Sequence, residues 1–148
     1  MAQKKQNAGG WLFKEEPKTY NYANLEKDGS TVWSGVKNPL ARKHLREVEV
    51  GNRVLYYHTG SERAIVGEMR IAAAPMVDAD DPKGVTVLVE PVRRWLPPVT
   101  LEQIKKEPIF KDWELVRIAR LSVMPVSPAQ WNRLEEMCRE NGAREGTA

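Results

Sequence analysis

Trp33-Ser34-Gly35-Val36-Lys37-Asn38-Pro39-Leu40-Ala41-Arg42 is the stretch around which the rest of the chain can be arranged. It opens with a tryptophan in a short extended run. Gly35 then lets the backbone turn tightly, because glycine has no Cβ to clash. Asn38-Pro39 reads as a helix start. Asparagine can accept from a free backbone N–H, and proline at the first helical position loses no hydrogen bond. The helix that follows carries Arg42, Lys43 and Arg46. An aromatic face, a glycine turn, a helix N-terminus and a cationic helix are parts suited to a flat, polar, phosphate-bearing ligand. The same residues also read as a core tryptophan followed by an ordinary surface helix, since most tryptophans are packing groups.

Outward from this stretch, short extended and helical runs alternate. Trp11 to Lys14 reads as a first strand, stopped by Glu15-Glu16-Pro17. Thr19 can cap a helix over about 20–27, ended by Asp28-Gly29. Thr31 to Trp33 is a second strand, expected beside the first. The helix from Pro39 to about Glu47 is expected to turn Leu40, His44 and Leu45 inward. Strands follow at 53–58 and 64–74, the latter bent by Gly67. An acidic loop over 75–83 precedes a strand at 85–92, which Trp95-Leu96-Pro97-Pro98 ends. A helix over 100–106 carries a Thr100/Gln103 capping box, and 107–119 is loop with a helical turn. A last strand spans 120–126. A last helix starts at Ser127-Pro128, buries Trp131, Leu134 and Cys138, and stops at Asn141-Gly142. The class is α+β, with a mostly antiparallel, curved, barrel-like sheet of five to six strands flanked by short helices. Residues 1–9 read as a disordered lead-in, 10–140 as a single domain and 141–148 as a flexible tail.

At 148 residues one domain with a real core is expected. No apolar run reaches the roughly 18 residues of a membrane span, so no membrane partner is expected. Lys4 and Lys5 have no apolar stretch behind them, unlike a secretory signal. The single cysteine, Cys138, cannot form an internal disulfide and argues against a cysteine metal site. The expected compartment is a reducing one: cytoplasm, with nucleus or nucleoid as variants. Lys4 and Lys5 supply two of the three net positive charges, so the domain itself is nearly neutral. Its charge is clustered instead. Lys37, Arg42, Lys43, Arg46 and Arg53 face only Glu47 and Glu49 locally, while Asp78, Asp80 and Asp81 gather elsewhere. A local basic patch fits a nucleic-acid partner, and also an ordinary solvated helix face.

The residues give little support to catalysis. His44 and His58 are the only histidines, and nothing completes a metal site around either. No nucleophile elbow and no glycine-rich phosphate loop is present. Glu15 and Glu16, adjacent on an extended run, point to opposite sides and so make no facing acid–base pair. Binding remains, with no cofactor. Trp11, Trp33, Tyr57 and His58 can contribute to an aromatic cage, and stacking a base on an aromatic face is worth about 1–3 kcal/mol. Core packing is the alternative for both tryptophans.

Several motifs in order resemble one family. Trp11-Leu12-Phe13-Lys14-Glu15-Glu16-Pro17 is similar to W-L-x-K-S-E-P, and Trp33 to Arg42 to W-x-G-V-R-N-x-x-A-R. Gly51 to His58 resembles G-D-x-x-x-F-Y-H, and Ile65-Val66-Gly67 an I-V-G strand. Leu115-Val116-Arg117 and Arg120 to Val126 resemble closing L-V-R and R-L-S-V-x-P-V motifs. The chain thus resembles the EVE domain family of the PUA-like superfamily, related to YTH and ASCH domains. The resemblance implies a PUA-like β-barrel with a pocket for a modified or flipped-out base. Carried over motif by motif, Trp33 and Val36 would form walls, with Asn38 polar at the rim. Lys14 and Glu15 would lie beside the pocket at the end of the first strand. Tyr57 and His58 would close another side, Arg120 and Ser122 would line it, and Arg42 would support it or reach a phosphate. Glu15 stands where the family pattern has serine, and Lys37 where it has arginine. The expected function is non-enzymatic reading of a modified base, flipped or single-stranded, in DNA or RNA, by a monomer. The rivals are an RNA-binding module, an enzyme acting on a nucleoside-like molecule, and a structural adaptor.

Overall fold

The computed structural model describes residues 9–146; of the tail expected over 1–9, residues 1–8 lie outside them, as do the last two residues. The strands are β1 (Gly10–Glu15), β2 (Thr31–Trp33), β3 (Arg53–His58), β4 (Ala64–Ile71), β5 (Met76–Asp78), β6 (Asp81–Thr100) and β7 (Val123–Val126). The helices are α1 (Tyr22–Asp28), α2 (Pro39–Glu47), α3 (Leu101–Lys105), α4 (Glu114–Arg117) and α5 (Pro128–Gly146), with a 3-10 turn over Pro108–Phe110. The sheet order is β2-β6-β4-β3-β1-β7, with β5 paired only to β6. Its ladders are antiparallel except β1 with β3, which run parallel in the register Phe13↔Tyr56 and Glu15↔His58. The curved, mostly antiparallel sheet flanked by short helices is the architecture expected.

Local chemistry fixes several elements. Asn38 Oδ1 accepts from the Ala41 N–H at 3.0 Å, and Pro39 takes the first turn of α2. α1 is capped by Asn21 in a reciprocal box with Asn24, not by Thr19. It ends at Gly29, whose φ of 79° suits a residue without Cβ. Thr100 and Gln103 form the expected capping box on α3. Tyr22 anchors α1 to the sheet. Its hydroxyl donates to the Glu68 carbonyl at 2.6 Å, with the Arg93 carbonyl 3.0 Å away, and its ring fills the place where a Gly67 Cβ would stand.

Other expectations are corrected. β1 and β2 are not neighbours, because β2 pairs with β6 at the far end of the sheet order. They meet only through side chains, across the curl of the sheet. The acidic stretch before β6 is a hairpin rather than a loop. Asp78 accepts from the Asp80 N–H at 2.9 Å and Asp81 from the Lys83 N–H at 3.1 Å, so the aspartates themselves fold the turn. β6 continues through Pro97 and Pro98. Ile65 pairs with Val99 and Gly67 with Arg94, so Trp95 to Pro98 stand opposite Val66 alone, in a bulge where the prolines owe no ladder bond. In α2 Ala41 is buried and Leu40 is 40% exposed, the reverse of the inward role expected of Leu40. α5 runs past Asn141-Gly142 to Gly146. Asn141 is buried and donates to the Pro98 carbonyl and to Gln103 Oε1, both at 3.1 Å, so a residue type that often ends helices here ties one down.

Candidate functional site

Alternation along β1 puts Trp11, Phe13 and Glu15 on one face of the sheet and Leu12 and Lys14 on the other. On the first face three rings meet. Trp33 lies 5.5 Å from Phe13 and 5.3 Å, edge-on, from Tyr56, measured between centroids. Tyr56 in turn meets Tyr22 and His58 edge-on, each at 5.4 Å. Trp33 is 6% exposed. The Tyr56 hydroxyl donates to the Tyr20 carbonyl. Burial, and then the nearby Glu15 carboxylate, hold that phenol far above its ordinary pKa. Glu15 is half-buried at the end of β1, with the Glu16 backbone N–H beside its carboxyl; burial raises its pKa.

His58 closes this face with both ring nitrogens bonded. Its Nε2 accepts from the Tyr22 N–H at 3.1 Å, so the proton is on Nδ1, which donates to Glu62 Oε1 at 2.8 Å. Both ring nitrogens are therefore committed to positioning α1 and the turn after β3.

The remaining candidates fall into three groups. Lys14 and Tyr57 lie on the opposite face, with the 119–122 segment bonded to Lys14. Lys14 Nζ donates to the Ala119 carbonyl at 3.0 Å and lies 5.7 Å over the Tyr57 ring, and its backbone N–H donates to the Ser122 carbonyl at 2.9 Å. Burial lowers the Lys14 pKa and pushes the Tyr57 phenol up to about 12. Arg120 is exposed in the same segment. Trp11 stands apart at the start of β1, buried, donating to Asn52 Oδ1 at 3.0 Å and tilted against His44. Val36 and Asn38 belong to the loop that follows Trp33, and Arg42 to the first turn of α2. Val36 packs half-buried on the core, and the exposed Gly35 turns with a φ of 76°.

Arg42 holds that loop. Its Nε donates to the Val36 carbonyl at 2.8 Å and its Nη2 pairs with Asp81 at 2.6 Å, with the side chain 12% exposed. The acidic turn, remote in sequence, is thus the counter-charge of the basic helix, and Arg42 holds Asp81 below the usual carboxylate range along with the Lys83 N–H, the larger influence. Arg42→Ala is expected to destabilise the fold by about 2 kcal/mol, since bonds to charged groups are worth about 1.5–3 kcal/mol. Urea denaturation measures this. Arg42→Lys should not restore the loss, because an ammonium lacks the planar fork that reaches both partners.

Sequence reasoning missed Tyr56 and Phe13. Both lie two residues before a named candidate (His58 and Glu15), so strand periodicity carried the signal once a face was assigned. No group of three or more histidine, cysteine or carboxylate side chains among the described residues is placed to hold a metal ion. No helix among them is long and apolar enough to cross a membrane.

The sequence pattern of the EVE domain matches residues 10–137. Among curated proteins, thymocyte nuclear protein 1 of Danio rerio is 29% identical, over 82% of this chain and 68% of its own length. Among solved structures, the NMR structure of Rpa0253 from Rhodopseudomonas palustris is 33% identical with a TM-score of 0.81, covering 86% of this chain and 90% of that one. Human THYN1, solved in complex with 5-methylcytosine-containing DNA, shares the fold at 23% identity and a TM-score of 0.79, over 87% of this chain and 96% of that one. With its motifs in order, its fold matched and the pattern spanning nearly the whole domain, this chain belongs to the EVE domain family.

Proposed function

We propose that this protein is a non-enzymatic reader of a modified base in nucleic acid, and of DNA in preference to RNA. The base would enter beside Trp33, between the Ser34–Lys37 loop and the end of β1. The observation that carries the reading is the joining of Trp33, Tyr56 and the half-buried Glu15 on one face, beside a loop held by Arg42. An aromatic wall and a polar edge group are what recognition of an extruded base needs. The exposed Lys37, Lys43 and Arg46 supply a basic rim for phosphates. The human relative's complex with 5-methylcytosine DNA supports the choice of DNA and of a modified cytosine. His58, with both nitrogens bonded, is not poised as a general base, which favours a reader over an enzyme.

Fluorescence anisotropy of labelled single-stranded oligonucleotides tests this. One sequence is made as DNA and as RNA, each with cytosine or 5-methylcytosine at one position. The 5-methylcytosine DNA is expected to bind at least about tenfold tighter than its unmodified control. Equal, weak binding of all four, falling steeply with salt, would leave only phosphate contacts. That outcome would favour a structural adaptor, the reading that the 6% exposure of Trp33 supports.

A further inference from the structure

We propose that Glu15 selects bases with an amino group at the cytosine N4 or adenine N6 position, including derivatives that keep an N–H there, over bases with a keto oxygen at that position, thymine, uracil and hypoxanthine. The inference rests on the base-reading proposal above and names the ligand class of that site.

Glu15 ends β1 on the face of Phe13, in register with His58 and near Tyr56. An ionised carboxylate only accepts hydrogen bonds, at about four lone-pair positions. The donors of Tyr56, His58, Lys14 and Thr59 are committed elsewhere, while the Glu16 backbone N–H lies beside its carboxyl. The Tyr56 hydroxyl donates to the Tyr20 carbonyl. His58 donates its single N–H to Glu62 and accepts at its other nitrogen. Lys14 points to the opposite face and bonds the Ala119 carbonyl. The Thr59 N–H goes to the Glu15 main-chain oxygen, not to its side chain. No ion pair is formed by Glu15 among the described residues.

Water reaches the open acceptor positions of a half-buried carboxylate, so a base that displaces that water must return a donor to it. A base amino group is such a donor. Carboxylate accepting from the cytosine amino group is an established mode of base readout. A keto oxygen at the same place would set lone pair against lone pair. A phosphate would be repelled outright, so Glu15 reads the base rather than the backbone.

The test uses the full chain and four single-stranded DNA oligonucleotides differing at one position: 5-methylcytosine, thymine, adenine and hypoxanthine. The first two share the 5-methyl group and differ at the amino-to-keto edge; the last two form the same contrast for a purine. In whichever pair binds, the amino member is expected to bind about tenfold tighter than its keto partner. Glu15→Gln should bring the two to within about threefold, because an amide turns to offer either a donor or an acceptor. Its fold is checked by an unchanged thermal midpoint. Equal wild-type affinity within both pairs, or an unchanged ratio in Glu15→Gln, overturns the assignment while leaving the base reader standing. Binding of no member, or affinities all unchanged in a folded Trp33→Leu variant, overturns the base-reading proposal itself and this inference with it.

Discussion

Trp33→Ala is expected to lower stability by about 3–5 kcal/mol. The indole is 6% exposed and packs against Phe13 and Tyr56, which belong to two adjacent strands, β1 and β3, while Trp33 itself comes from β2. β2 reaches those strands through this side chain and not through the sheet ladder. Truncation therefore opens a cavity where the curl of the sheet closes, and two aromatic contacts worth about 0.5–1.5 kcal/mol each are lost with the buried area. Against a total stability of about 5–15 kcal/mol this is a large fraction. Urea denaturation followed by far-UV circular dichroism measures it. A loss below about 1 kcal/mol would mean that the site tolerates an open wall. For binding experiments Trp33→Leu is the better variant, since it removes the aromatic face and keeps apolar volume.

Trp131→Ala is expected to cost a similar amount, about 3–5 kcal/mol, for a different reason. Trp131 is fully buried under α5, edge-on to Trp95, with the Arg53 guanidinium 4.1 Å from its ring centroid. Arg53 also donates to the Gly9 carbonyl at 2.7 Å. One indole thus joins α5, β6 and the start of β1. Its loss should loosen α5, so amides of α5 are expected to exchange with deuterium faster than those of β3 and β4. Uniform acceleration across the chain would contradict that. The ring packs at the start of β1, whereas Glu15 ends that strand, so a milder Trp131→Phe variant should leave base preference unchanged.

The parts of this fold that were legible in the sequence are those with local causes. Asn38-Pro39 carries its own cap and its own φ, so α2 starts where it was expected and runs to Glu47. Thr100 with Gln103 and Gly29 at a left-handed turn are likewise self-contained signals. What stayed hidden depends on partners far along the chain. Whether β2 pairs with β1 or β6 is not written in Thr31-Val32-Trp33. The aspartates at 78–81 read as loop because their hydrogen bonds fold a hairpin turn, and because Arg42, which pairs with Asp81, lies 39 residues away. α5 outruns its expected stop because Pro98 and Gln103 meet Asn141. The sequence offered candidate residues and not which of them share a face. Strand alternation separates Glu15 from Lys14 and Tyr56 from Tyr57, and the sequence does not say which member of each pair meets Trp33. The family resemblance drew attention to Tyr57 and His58, whereas the ring that packs against Trp33 is Tyr56.

The central claim, that a modified base is read beside Trp33, is tested most directly by the indole N–H resonances of the five tryptophans in a 15N-labelled sample. They are assigned by single substitutions and followed while 5-methylcytosine DNA or its cytosine control is added. The Trp33 signal is expected to move with the modified oligonucleotide and far less with the control, and the Trp131 signal to stay in place with both. A Trp33 signal that is still throughout, while backbone amides around Lys37, Lys43 and Arg46 shift equally with either oligonucleotide, would contradict it and leave only a basic surface touching phosphate.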